Sequence, residues 1–180
     1  MIHNVVVVGL GLMGGSMAKA VRAYTDCKVY GWNRTRAVAE EAIAEGTLDG
    51  FADDAALAQA DLLVISLYPQ STIDWLQAHM EKLKPGCLIV DFVGVKQCMV
   101  DAITPLAQAH GVHYIGGHPM AGKEFSGFAY AEATLFQNAS MILVQTESSP
   151  LWAVDEVEGF FDRLGFARVV RCSAEQHDHM

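Results

Sequence analysis

Four consecutive β-branched residues, Val5 to Val8, run straight into Gly9-Leu10-Gly11-Leu12-Met13-Gly14-Gly15. A run of this kind is a strand buried on both faces. Residues 16–23 suit a helix, so the glycines lie between a strand and a helix. That is the context in which G-x-G-x-x-G binds a dinucleotide. Gly9 permits the tight turn, Gly11 lets the backbone approach a pyrophosphate, and Gly14 lets the helix pack on the strand. Leu12 and Met13 lie within the turn and count among the cofactor-binding residues, and the helix N-terminus beyond offers N–H groups and a positive dipole end to the anion.

The rest of the chain alternates strand and helix. Strands are predicted at residues 28–31, 61–67, 87–91, 112–116, 140–145 and 167–172. Helices are predicted at 35–44, 53–60, 69–83, 96–109 and 151–164, with a helical piece near 131–136. Asp53 or Asp54 caps the third helix, Pro69 starts the fourth, and Pro105 implies a kink or a two-part fifth helix. This is an α/β, Rossmann-type, doubly wound and mostly parallel sheet with helices on both faces. The last two strands are candidates for antiparallel additions at its edge. The 180 residues suit one domain, with 52% hydrophobic and 18% charged residues.

A net charge of −9 argues against nucleic acid or an anionic membrane as partner. Cys27, Cys87, Cys98 and Cys172 show no C-x-x-C spacing and read as reduced, mostly buried thiols of a cytoplasmic protein. No signal peptide and no apolar run of membrane-spanning length is visible.

The second strand ends in Gly31-Trp32-Asn33-Arg34-Thr35-Arg36. An NAD site places an Asp or Glu here for the ribose 2′-hydroxyl. Asn33 does not repel a 2′-phosphate, Arg34 and Arg36 can pair with it, and Thr35 can donate a hydroxyl. NADP is therefore favoured over NAD. Tyr68 and Pro69 follow the strand at 61–67 and Ser66 lies at its end, where they would line the cofactor cleft; core or helix-start packing is the plainer reading of Tyr68 and Pro69.

Reactive groups of an open α/β sheet sit beyond the C-terminal ends of its strands. Two such loops stand out, Asp91-Phe92-Val93-Gly94-Val95-Lys96 and Gly116-Gly117-His118-Pro119-Met120-Ala121-Gly122-Lys123-Glu124. His118 follows a strand, between small residues that admit a substrate. An imidazole can take a hydroxyl proton near neutral pH. Lys96 reads equally as a solvated lysine at a helix start. Residues 174–180 are polar and read as a disordered tail, although His177 and His179 have a spacing that could suit a metal.

Gly117-His118-Pro119-Met120-Ala121-Gly122-x-Glu124, with Gly127, Ala131 and Leu135-Phe136, resembles the prephenate/arogenate dehydrogenase family of tyrosine biosynthesis. Asp91 to Lys96 is similar to that family's D-x-x-S-V-K element, and His177-Asp178 to its H-D pair at a domain junction. The resemblance implies NAD(P)-dependent oxidative decarboxylation of a cyclohexadienol, prephenate or arogenate. His118 would bond the C4 hydroxyl and take its proton, and Lys96 would organise the loop beside the nicotinamide or attract substrate carboxylates. The family's serine is replaced by Gly94, which also borders the cofactor; a water or Ser126 would have to supply the lost hydroxyl.

The resemblance further implies that residues 1–173 form the dinucleotide-binding domain and that 174–180 lead to a helical domain, absent here, which carries dimer contacts and carboxylate-binding residues. The expectation is a homodimer in the full-length form and weak or no turnover by this chain alone. Two other readings of the pattern are a β-hydroxyacid-type NADP dehydrogenase and a non-catalytic nucleotide-sensing module.

Overall fold

The computed structural model describes all residues from Met1 to Met180. Eight strands form one sheet in the order β3-β2-β1-β4-β5-β6-β7-β8. They are β1 (Asn4–Val8), β2 (Lys28–Trp32), β3 (Gly50–Phe51), β4 (Leu62–Ile65), β5 (Leu88–Asp91), β6 (His113–Met120), β7 (Ser140–Val144) and β8 (Arg168–Cys172). The first six run parallel, β7 pairs antiparallel with β6, and β8 lies parallel to β7. The two final strands are therefore the reversed edge that the sequence suggested.

The apolar strands feed two cores by simple alternation. Val5 and Val7, Leu62 and Val64, and Leu88 and Val90 join a cluster on one face. Val6 and Val8, Leu63 and Ile65, and Ile89 join the cluster on the other. The first face is covered by α1 (Leu12–Tyr24), α2 (Arg36–Ala44) and α6 (Leu151–Asp162), and the second by α3 (Asp54–Gln59), α4 (Pro69–His79) and α5 (Gln97–Ala109). Strand order reverses at β1, whose neighbours are β2 and β4. Such a switch point opens a crevice above the strand ends, where open α/β sheets bind their ligands.

Several boundaries differ from expectation for physical reasons. Asp53 caps α3 by accepting from the Ala56 N–H at 2.9 Å. The expected helix at 69–83 ends at His79 and tightens into a 3-10 turn, Met80–Lys82. Helix α5 is continuous through Pro105, which lies on the solvent side, where water can satisfy the released carbonyl, while Met99, Val100, Ile103 and Ala107 anchor both halves. The helical piece near 131–136 is instead a 3-10 turn at Phe128–Tyr130. The two-residue β3 was not visible as a strand.

The most consequential correction concerns β6. The sequence suggested a strand ending at 116, with His118 in a loop. Pairing with β5 does stop at Gly116, but pairing with β7 continues through His118, Pro119 and Met120. Pro119 is tolerated because β5 has already ended on one side. The tail expected to be disordered is a short helix, α7 (Ala174–Asp178), held by a reciprocal capping box between Ser173 and Gln176. Two of the four thiols, Cys27 and Cys87, are buried, while Cys98 is exposed and Cys172 is partly covered.

Candidate active site

The glycine turn is built by close contact. Gly9 has φ +90° and donates to the Trp32 carbonyl at 2.7 Å. A Cβ there would meet the Ser66 carbonyl oxygen at 2.3 Å, and one on Gly14 would meet the Gly9 carbonyl oxygen at 1.8 Å. Gly11 faces open space. It precedes α1, whose first turn has neither an acidic residue nor a side-chain cap, so Leu12 and Met13 start a helix with uncapped N–H groups. These features fit a pyrophosphate.

Asn33 has a task the sequence did not reveal. Its Oδ1 accepts from the Leu10 N–H at 2.9 Å and its Nδ2 donates to the Thr35 carbonyl at 2.9 Å. The amide thus ties the glycine turn to the end of β2. Arg34 is exposed and makes no ion pair, and Thr35 has its hydroxyl free at the N-cap of α2. Arg36 is partly committed, with its guanidinium 3.7 Å from the Phe51 ring centroid. Arg34, Asn33 and Arg36 line one concavity of about 380 Å³ beyond β2. Asp53 also borders it, but its carboxylate is engaged in capping α3. Tyr68 is 85% exposed at the N-cap of α4, with Pro69 opening that helix, so the packed-core reading of Tyr68 does not hold.

At the end of β5 lies a buried charged cluster. Asp91 accepts from Lys96 Nζ at 2.6 Å, from the Tyr114 hydroxyl at 2.7 Å and from the Val93 N–H at 3.0 Å. Both members of the ion pair have 0% side-chain exposure. Burial pushes the Lys96 ammonium pKa down against the pull of Asp91, and burial beside Asp91 pushes the Tyr114 phenol up. Lys96 is therefore not the solvated helix-start lysine its position suggested. Its stem packs where a Gly116 Cβ would stand, 3.0 Å from Lys96 Cδ. From there it ties the loop after β5 to Asp91, with no side-chain surface exposed.

His118 leads out of this cluster into a cavity of about 310 Å³, lined in part by Gly94, Val95, Met120, Ile142 and His177. Its Nδ1 lies 2.8 Å from His177 Nε2, and His177 Nδ1 lies 2.8 Å from Asp178 Oδ1. Asp178 in turn accepts from the backbone N–H groups of Lys96 and Gln97, both at 2.9 Å. Those N–H bonds and His177 hold the Asp178 carboxyl down at about 2. Burial, with His177 and Lys96 nearby, pushes His118 below the ordinary histidine value, against the pull of Asp91. A Cβ on Gly94 would lie 3.7 Å from His118 Nε2, so a serine there would reach the ring and glycine leaves that nitrogen open. The partner that the structure gives His118 is His177, where the sequence suggested a water or Ser126.

Residues 17–171 match the family model described as prephenate dehydrogenase, nucleotide-binding domain. The chain belongs to that family. Prephenate dehydrogenase of Bacillus subtilis is 30% identical over 97% of this chain and 48% of its own length. A crystal structure of prephenate dehydrogenase from Aquifex aeolicus, in complex with hydroxyphenyl propionate and NAD+, superimposes with TM-score 0.89 at 27% identity. The match covers 99% of this chain and 63% of that one. Synechocystis arogenate dehydrogenase gives TM-score 0.88 at 28% identity, over 97% of this chain and 61% of that one. The chain thus spans about half to two thirds of the length of these relatives. The family match disfavours the β-hydroxyacid reading and the sensor reading.

Proposed function

We propose that this chain is the cofactor-binding half of an enzyme that oxidatively decarboxylates prephenate or arogenate, with NADP preferred over NAD. The carrying observation is His118: Nδ1 is held by His177, and Nε2 is open to a cavity beyond the C-terminal strand ends. When bound, a nicotinamide would supply the hydride acceptor. His118 Nε2 accepts the C4 hydroxyl proton as hydride leaves C4, and the electrons of the departing carboxylate's C–C bond complete the aromatic ring as carbon dioxide forms. A depressed histidine pKa keeps the base neutral and ready at pH 7.

Gly9, Gly11, Leu12, Met13 and Gly14 would hold the pyrophosphate, while Ser66, Tyr68, Pro69 and Gly94 would border the rest of the cofactor. The NADP preference rests on Arg34 and Thr35, which are exposed and uncommitted, and on the amide at Asn33 where a carboxylate would repel a 2′-phosphate. Lys96 acts through the loop it fixes. The cavity around His118 contains no Lys or Arg. Substrate carboxylates would therefore be held by residues outside these walls. The cytoplasmic homodimer that the family resemblance implies belongs to the same proposal.

The test is an assay of the enzyme containing this domain with prephenate and with arogenate, each with NADP and NAD. Cofactor reduction dependent on either substrate supports the reading; none with either removes it.

A further inference from the structure

Beyond the base itself, we infer that His177 and Asp178 form a tautomer-setting relay that positions His118 from its Nδ1 side. This rests on the proposed role of His118, but its geometry can be tested without substrate. His177 and Asp178 are positioning residues, since neither is assigned contact with the reacting atoms.

The relay follows from donor and acceptor inventory. Asp178 takes two backbone N–H bonds at the start of α5, one on each carboxylate oxygen. An ionised carboxylate only accepts, so the 2.8 Å contact with His177 Nδ1 requires a proton on that nitrogen. In neutral His177 the other nitrogen, Nε2, is then an acceptor. It faces His118 Nδ1 at 2.8 Å, so that nitrogen must carry the proton. By the same rule His118 Nε2 is bare, and it is the nitrogen that points toward Gly94 and the cavity. One fixed carboxylate thus sets two tautomers in series and leaves a proton acceptor at the reacting end.

The path is well anchored. His177 is 6% exposed, and α7, which carries it, packs on α5. When His118 takes a proton, its Nδ1–H still donates to His177, whose ring remains polarised by Asp178. The charged and titratable groups acting on His118 are His177 and Lys96, which oppose its protonation, and Asp91, which favours it. Asp178 acts through His177. A hydroxyl at residue 94 would have contacted the ring from the Nε2 side; the relay holds it from Nδ1.

Histidine-labelled protein read by nitrogen-15 imidazole spectroscopy above pH 7 tests this directly on the 180-residue chain. The expected spectrum has both His118 and His177 protonated on Nδ1 and bare on Nε2. His177→Leu should convert most of His118 to the Nε2-protonated form, whereas His177→Gln, whose amide oxygen can accept from Nδ1, should retain the original form. Should the leucine variant fail to fold, Asp178→Asn supplies the second reading, with His177 losing its single tautomer. In the whole enzyme His177→Leu should lower kcat by about 10²-fold with KM within about twofold, and the glutamine variant should recover most of it. An Nε2-protonated His118 in the unaltered chain, or one indifferent to His177→Leu, overturns the relay while leaving the proposed reaction standing. If neither prephenate nor arogenate is turned over but the tautomers are as expected, the relay stands and the substrate assignment falls.

Discussion

Lys96 shows how much one side chain can do from a position with no access to solvent. Its ammonium and the Asp91 carboxylate compensate each other inside the protein. Removing one partner leaves a buried charge, which typically costs about 3–5 kcal/mol. Lys96→Met should therefore destabilise the fold by about that amount in chemical denaturation, and Lys96→Met with Asp91→Asn by distinctly less. The pH behaviour of His118 is set at the same scale. Its pKa in the folded protein lies below the ordinary value of 6.5, because the charged form is disfavoured by burial, His177 and Lys96. The folded state then binds fewer protons than the unfolded state between the two values, so this group's contribution to stability is complete above 6.5 and is lost as pH falls through the folded pKa. Activity has the same sign: kcat/KM should rise with pH on the acid limb, with an inflection below 6.5, and be level by neutrality. At Asp178, held at about 2 against an ordinary 3.8, the stabilisation is lost only as pH falls through that lower window. The sequence singled out His118 and His177-Asp178 separately. It could not show that they touch, since 59 positions separate the two histidines and only the β6–β7 edge and the fold of α7 bring them together.

Among the elements, the turn from β1 into α1 gives the cleanest separation of folding from binding. A Cβ on Gly14 would collide with the Gly9 carbonyl at 1.8 Å, whereas one on Gly11 meets nothing. Gly14→Ala should lower the melting temperature and weaken NADPH binding together. Gly11→Ala should leave the melting temperature nearly unchanged and still weaken binding, because its methyl enters the space reserved for the pyrophosphate. Equal melting temperatures for the two variants would contradict this division. Most elements were legible because four apolar residues in a row leave few alternatives: β1, β4 and β5 feed both cores by alternation alone. Strand β6 was not, because its last residues are held by a partner strand twenty or more positions later and contain proline and glycines that locally signal a loop. Helix α7 was missed for a related reason. Its polar residues carry no apolar period, although Ser173 and Gln176 already spelled a capping box.

For the molecule as a whole, the sheet places the glycine turn, the buried Asp91–Lys96 pair and His118 beyond the C-terminal ends of the parallel strands. Cofactor that binds only the folded state should stabilise it by about 2.7 kcal/mol at one hundred times Kd. Differential scanning fluorimetry should show a larger upward shift with NADPH than with NADH, and Arg34→Ala should remove most of that difference while sparing NADH. The family and the sheet could be read from the chain. Sequence alone did not show that Asn33 is a structural tie, or that Lys96 is buried against Asp91. Those are contacts between segments that local pattern does not encode. His118 is proposed to perform the chemistry in a site whose cofactor is anchored elsewhere. The most direct test is the enzyme containing this domain with His118→Asn, assayed for substrate-dependent NADP reduction alongside NADPH titration. The account predicts unchanged NADPH affinity and turnover reduced by about 10²–10⁴-fold with prephenate or arogenate, whichever the unaltered enzyme uses. Retained turnover, or lost NADPH binding, would contradict it.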